Sequence, residues 1–223
     1  MAGVTAAAGR AAPRGRIDKR QAILDAAFTV FARRGYGQAC VREIAEVAGV
    51  AKPTVYNHLN DKETLFRNAM AAAADSVMGE NLAAAERLRE PGGDPRAALE
   101  DTAHRLIRVC CSERARALRW LTYEQVARFP DLIETVQERT SGRLGDALAD
   151  RFARLSLAGH LRPCDPAQAA EQFLALLTAP MEGRSRLGTR PVPAAETRAV
   201  SDAAVDTFLR AYGAYGAQAA AGA

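Results

Sequence analysis

The stretch Val41-Arg-Glu-Ile-Ala-Glu-Val-Ala-Gly-Val-Ala-Lys-Pro-Thr-Val-Tyr-Asn-His-Leu59 reads as a short helix, a sharp turn and a second short helix. Val41, Ile44, Ala45 and Ala48 recur at helical spacing and form one narrow apolar stripe. Ala45 and Ala48 are small, which lets two helices cross closely. Gly49 supplies the backbone freedom a tight turn needs. Pro53 falls in the first turn of the second helix, where a missing N–H costs nothing. Val50, Val55 and Leu59 supply the buried wedge. Lys52, Thr54, Asn57 and His58 then remain for other faces, able to donate or accept at base edges and phosphates. Tyr56 offers a hydroxyl to a phosphate, and Arg42 adds charge on the first helix. Lys62 opens the next helix, whose free N–H groups and positive end suit a phosphate. The expected nucleic-acid contacts are therefore Arg42, Lys52, Pro53, Thr54, Tyr56, Asn57, His58 and Lys62, within a helix-turn-helix from Cys40 to Leu59.

Charge supports that reading. Residues 1–60 hold nine Lys/Arg against four acids, while the chain of 223 residues carries a net charge of only +4. The excess sits in the first quarter, as expected for a polyanion-binding head on a near-neutral body.

The rest of the chain reads as helix throughout, with no strand and no repeat. Helices are expected over Asp18–Arg34, Lys62–Arg89, Pro95–Cys111, Arg114–Arg128, Asp131–Leu157, Asp165–Thr178 and Ala194–Tyr212, with a loop over Pro180–Pro193. Asn60 and Glu63 have capping-box spacing at the start of the Lys62 helix. Residues 1–16 are expected as a disordered basic arm and 217–223 as a disordered tail, flanking a DNA-binding domain at 17–66 and a helical body at 67–216. The expected fold class is all-α, with about nine helices.

Other classes find little support. The only histidines are His58, His104 and His160, and no nucleophile elbow, P-loop or carboxylate pair stands out. A helical enzyme, or a non-specific DNA-binding or structural protein, remains as the alternative. Cys40, Cys110, Cys111 and Cys164 form no CxxC pair and no zinc spacing, so no metal or cofactor is expected, and reduced thiols in a cytoplasmic protein are. Cys110 and Cys111, being adjacent, are expected on different sides of one helix. No apolar run is long enough to span a membrane.

The stretch Lys19–Leu65 resembles the TetR regulators. The resemblance rests on Ile23-Leu-Asp-Ala-Ala-Phe, Phe31…Gly35-Tyr36, Ile44-Ala45…Ala48-Gly49-Val50, Thr54-Val-Tyr-Asn-His-Leu and Asp61-Lys-Glu-Thr-Leu-Phe66. Two positions depart from the pattern. Cys40 and Ala51 stand where Ser or Thr commonly begins a helix, and a lost cap costs about 1 kcal/mol. Further on, Trp120-Leu-Thr-Tyr-Glu…Ala127-Arg-Phe-Pro-Asp-Leu and Asp165-Pro…Ala170-Glu-Gln-Phe-Leu resemble an AefR-like C-terminal domain. The resemblance implies a homodimer on double-stranded operator DNA, released by a small-molecule effector held in the helical body. His104, Arg108, Trp120, Tyr123 and Glu124 are the candidate pocket residues. The apolar rows Phe173, Leu174, Leu177 and Val200, Ala204, Phe208 are the candidate dimer face, as a four-helix bundle.

Overall fold

The computed structural model describes residues 13–58, 60–89 and 94–214. They form ten α-helices: α1 (Pro13–Gln38), α2 (Val41–Val47), α3 (Lys52–His58), α4 (Lys62–Ala85), α5 (Pro95–Cys110), α6 (Glu113–Glu124), α7 (Asp131–Gln137), α8 (Arg143–Leu157), α9 (Pro166–Ser185) and α10 (Ala194–Tyr212). A π-helical turn, Glu138–Gly142, joins α7 to α8, and a 3-10 turn, Glu86–Leu88, follows α4. Among the described residues there is no strand, only an isolated bridge between Leu161 and Gly213. The fold is all-α.

The chain divides into two compact units, Met1–Ala72 and Ala73–Ala223, with the division inside α4. In the N-terminal unit, α1 buries Ile23, Leu24, Ala27, Phe28 and Phe31, the residues at helical spacing in the sequence. Phe31, Tyr36 and Phe66 pack as a ring cluster, with centroids 4.9–6.0 Å apart. Each such ring pair adds about 0.5–1.5 kcal/mol beyond its burial.

In the C-terminal unit α8 packs on α9, and α10 packs on α5 and α9. Their core is aromatic: Phe208 lies 4.9 Å from Phe152, 5.0 Å from Phe173 and 4.9 Å from Tyr212. Asp94 and Asp165 cap α5 and α9 through amides two and three residues on, each followed by proline at the first helical position. Arg96–Asp206 (2.6 Å) and His104–Asp202 (2.8 Å) link α5 to α10 at the surface.

Several expected boundaries move. α1 starts at Pro13, so the last four residues of the expected arm, 13–16, are helical; residues 1–12 and 217–223 lie outside the described residues. The α4 cap is Asp61, not Asn60: its carboxylate accepts from the Thr64 amide (2.7 Å) and hydroxyl (3.0 Å), and Glu63 instead binds Arg67 at 3.0 Å. These donors hold the Asp61 carboxyl below its ordinary pKa, the Thr64 amide most. The expected long helix over Asp131–Leu157 splits at the π turn ending in Gly142.

The largest departure is α9. Pro180, expected to open a loop, lies inside the helix, which continues to Ser185. Proline removes one backbone bond, to Leu176, on an exposed face. Against that loss, the continued turn fully buries Met181 against Ile107 and Val200, together with Ser185.

Candidate nucleic-acid interface

α2 and α3 pack together, and their connection follows from the backbone. Gly49 has φ +64°, the left-handed region that glycine enters without penalty. The Val50 amide donates to Ala45 O at 3.0 Å and the Gly49 amide to Glu46 O at 3.2 Å. This pair of bonds is a Schellman end, which stops α2 and turns the chain at a fixed angle into α3. Of the expected wedge, Val55 is fully buried, as is Ile44 on α2, while Val50 is only half-buried.

With Val55 inward, the rest of α3 faces out. Lys52, Pro53, Tyr56 and Asn57 are exposed and Thr54 is half-buried. The Lys52 ammonium sits 5.8 Å from the centre of the Tyr56 ring, one turn on, so charge and ring share a face. Of His58 only the backbone is described, and Leu59 lies outside the described residues. Arg42 is exposed and loosely paired with Glu46 at 3.8 Å. Glu43 accepts from Arg33 (3.1 Å) and Arg34 (3.4 Å), tying α2 to the end of α1.

Lys62 is already engaged. Its ammonium donates to Gly37 O at 3.1 Å and lies 4.9 Å from the Tyr36 ring centre, closing the loop after α1 onto the start of α4. Cys40, at the head of α2, makes no capping hydrogen bond of good geometry. The neighbouring amides of Arg42 and then Glu43 nevertheless hold its thiol below the ordinary pKa. Val47, on α2, is an exposed apolar side chain that periodicity did not flag.

The C-terminal unit holds a cavity of about 360 Å³ among α4, α5, α6, α7, the π turn, α8 and α9. Val77, Leu106, Leu118, Ile133, Val136, Leu144 and Leu174 make it largely apolar, with Asn81, Arg119, Thr122, Gln137, Thr140 and Glu182 as polar points. Of the five expected pocket residues only Tyr123 lines it. His104 instead pairs with Asp202, and Arg108 lines a separate hollow with Glu80 and Arg105. Trp120 and Glu124 are not among the lining residues, and Glu124 is exposed. The sequence signal missed here was Arg119 and Thr122, polar residues one turn apart beside the apolar row of α6.

The expected dimer face also needs correction. Phe173, Leu177, Val200, Ala204 and Phe208 are buried within this one chain, and Leu174 lines the cavity, so these side chains are already spent on the subunit's own core. One outward row on each of the same helices is small: Ala175, Ala179 and Gly183 on α9, and Ala195, Ala199, Ala203 and Thr207 on α10. Among the described residues no cluster of His, Cys, Asp and Glu is placed to hold a metal, and no helix is long and apolar enough to cross a membrane.

A closely packed two-helix head with an outward second helix, followed by an all-helical body, defines a helix-turn-helix DNA-binding regulator. Comparison makes the assignment specific. The model for bacterial regulatory proteins of the tetR family matches residues 23–69, and that for the AefR-like transcriptional repressor C-terminal domain matches residues 97–214. A putative TetR-family transcriptional regulator from Mesorhizobium loti superimposes with a TM-score of 0.81 at 32% identity, over 89% of this chain and 98% of that one. The HTH-type transcriptional repressor KstR2 of Rhodococcus jostii is 33% identical over 39% of this chain, and that match spans only 40% of its own length. The repressor AcnR of Corynebacterium diphtheriae is 27% identical over 70% of this chain and 75% of its own. The chain belongs to the TetR family of DNA-binding transcription regulators, which are not enzymes.

Proposed function

We propose that this regulator is a repressor that binds a near-palindromic operator as a homodimer and leaves it when a small molecule fills the C-terminal cavity. The observation that carries the reading is α3: one side of it, Val55, is buried, while Lys52, Tyr56 and Asn57 stand exposed beside a rigidly closed turn. One such helix covers a few base pairs. Two copies about a twofold axis read two half-sites ~34–36 Å apart, or a multiple of that. Lys52 and Arg42 serve the backbone, while Thr54 and Asn57 serve base edges.

The small outward rows of α9 and α10 support the dimer, because Ala and Gly let helices of two subunits approach closely without displacing either core. The cavity supports the effector: its apolar walls and few polar points suit a small organic ligand. Such a ligand releases DNA only through different affinities for the bound and free arrangements, and α4, which belongs to both units, is the element they share.

The test is retention of the protein's own promoter DNA against a random duplex of equal length, across a salt series. Selective, salt-sensitive binding by a dimer is expected. Equal affinity for both duplexes would favour a non-specific nucleic-acid binder instead.

A further inference from the structure

The last residue of α5, Cys110, lines the cavity, and the next residue, Cys111, is the helix cap. The Cys111 thiol donates to Met181 Sδ at 3.5 Å. From α6 the Arg119 guanidinium donates to Cys110 Sγ at 3.4 Å and to Cys110 O at 2.9 Å. The neighbouring Cys111 thiol first, then the Arg119 guanidinium, hold the Cys110 thiol below its ordinary pKa, against burial and the Glu182 carboxylate. The proton is correspondingly held on Cys111, whose thiol is pushed up. A thiol drawn toward its ionised form by a fixed cation, in a largely apolar cavity, is a nucleophile rather than a packing group.

We propose that Cys110 captures apolar α,β-unsaturated carbonyl compounds by conjugate addition inside this cavity, so that the regulator's effector is a soft carbon electrophile. The inference rests on the cavity being the effector site. The Cys110 proton passes to water, and the sulfur bonds to the β-carbon of the electrophile. The displaced π pair moves onto the carbonyl oxygen, and the enolate takes a proton from water at its α-carbon. The product is a thioether, with no net oxidation or reduction. A Cys110–Cys111 disulfide is disfavoured, because adjacent Cα atoms lie about 3.8 Å apart, closer than a disulfide ordinarily accepts.

The experiment uses the full chain with Cys40→Ser and Cys164→Ser, treated with N-ethylmaleimide or 2-cyclohexen-1-one. Adducts are followed by intact mass and peptide mapping, and cavity occupancy by 1-anilinonaphthalene-8-sulfonate fluorescence. One adduct on Cys110 is expected, with a rate midpoint below that of a free thiol and loss of dye fluorescence. Cys111→Ala and Arg119→Gln should each raise the midpoint and slow the reaction at pH 7 roughly tenfold. Adducts only on Cys111, a midpoint near that of a free thiol, or disulfide formation by peroxide without any enone adduct would overturn the proposal. Dye binding without an adduct overturns electrophile capture and leaves the pocket standing. Neither dye binding nor an adduct overturns both.

Discussion

The Val50 amide lies 3.0 Å from Ala45 O, and that single bond spans the turn which sets α3 against α2. It forms only because Gly49, between them, takes a left-handed conformation.

Gly49→Ala should therefore weaken both the fold and DNA binding. No atom lies within 4 Å of the added Cβ, so the cost is purely conformational, about 1–2 kcal/mol. Thermal melting reads the stability, and the DNA affinity should fall with it. An unchanged melting temperature would mean the turn is not held as described.

Gly188→Ala should cost more. Its φ is +93°, and a Cβ there would meet Arg116 O at 2.6 Å, while Arg116 Nε donates to Gly188 O at 3.1 Å. Strain and displacement of the α6 contact together should exceed about 2 kcal/mol by chemical denaturation. A loss no larger than that of Gly49→Ala would show that the α9–α10 connection yields easily.

Lys52→Ala should weaken binding to every duplex and lower the salt slope by about 1, whereas Asn57→Ala should blunt selectivity by roughly 1–3 kcal/mol. Lys62→Ala should lower the melting temperature as well as affinity, because its ammonium holds Gly37 O. Competition titrations with random DNA separate the three. Identical behaviour of Lys52 and Asn57 variants would dissolve the division between phosphate and base contacts.

Ala203→Glu should convert the dimer to monomer while each subunit stays folded, as read by analytical ultracentrifugation and circular dichroism. Phe208→Ala should instead cost about 3–5 kcal/mol of fold stability, since its ring is fully enclosed. A dimeric Ala203→Glu protein would move the interface elsewhere.

Acid should remove part of the α5–α10 link. The Arg96 guanidinium hydrogen-bonds Asp206 and holds its carboxyl below the ordinary range. A depressed carboxylate stabilises above its unfolded pKa, near 3.9, and that contribution fades as pH falls through the lower folded value. The melting-temperature difference between wild type and Asp206→Asn should be present at pH 7 and shrink below about pH 4. A constant difference across that range would remove the ion pair from the account.

The head was readable because its chemistry is local. The residues that make the turn and the wedge, from Ile44 to Val55, lie within one short segment, and spacing alone separates Val55 from Lys52 and Asn57. The body was less so. Helical periodicity marked Phe173, Leu177 and Phe208 as buried, but it carries no information on whether a partner or the chain's own α8 buries them. Pro180 misled because its local penalty is outweighed by the distant contacts of Met181. The cavity was hidden for the same reason: Cys110, Arg119 and Gln137 come together from three helices, and no sequence window contains them.

The central claim is that α3 enters a DNA groove, twice, from a symmetric pair. Sedimentation of the full chain with a labelled duplex from its own promoter tests it most directly. Two protein chains per duplex, retained against excess random DNA and lost with rising salt, is the predicted result. A single chain per duplex, or equal competition by random DNA, would contradict it.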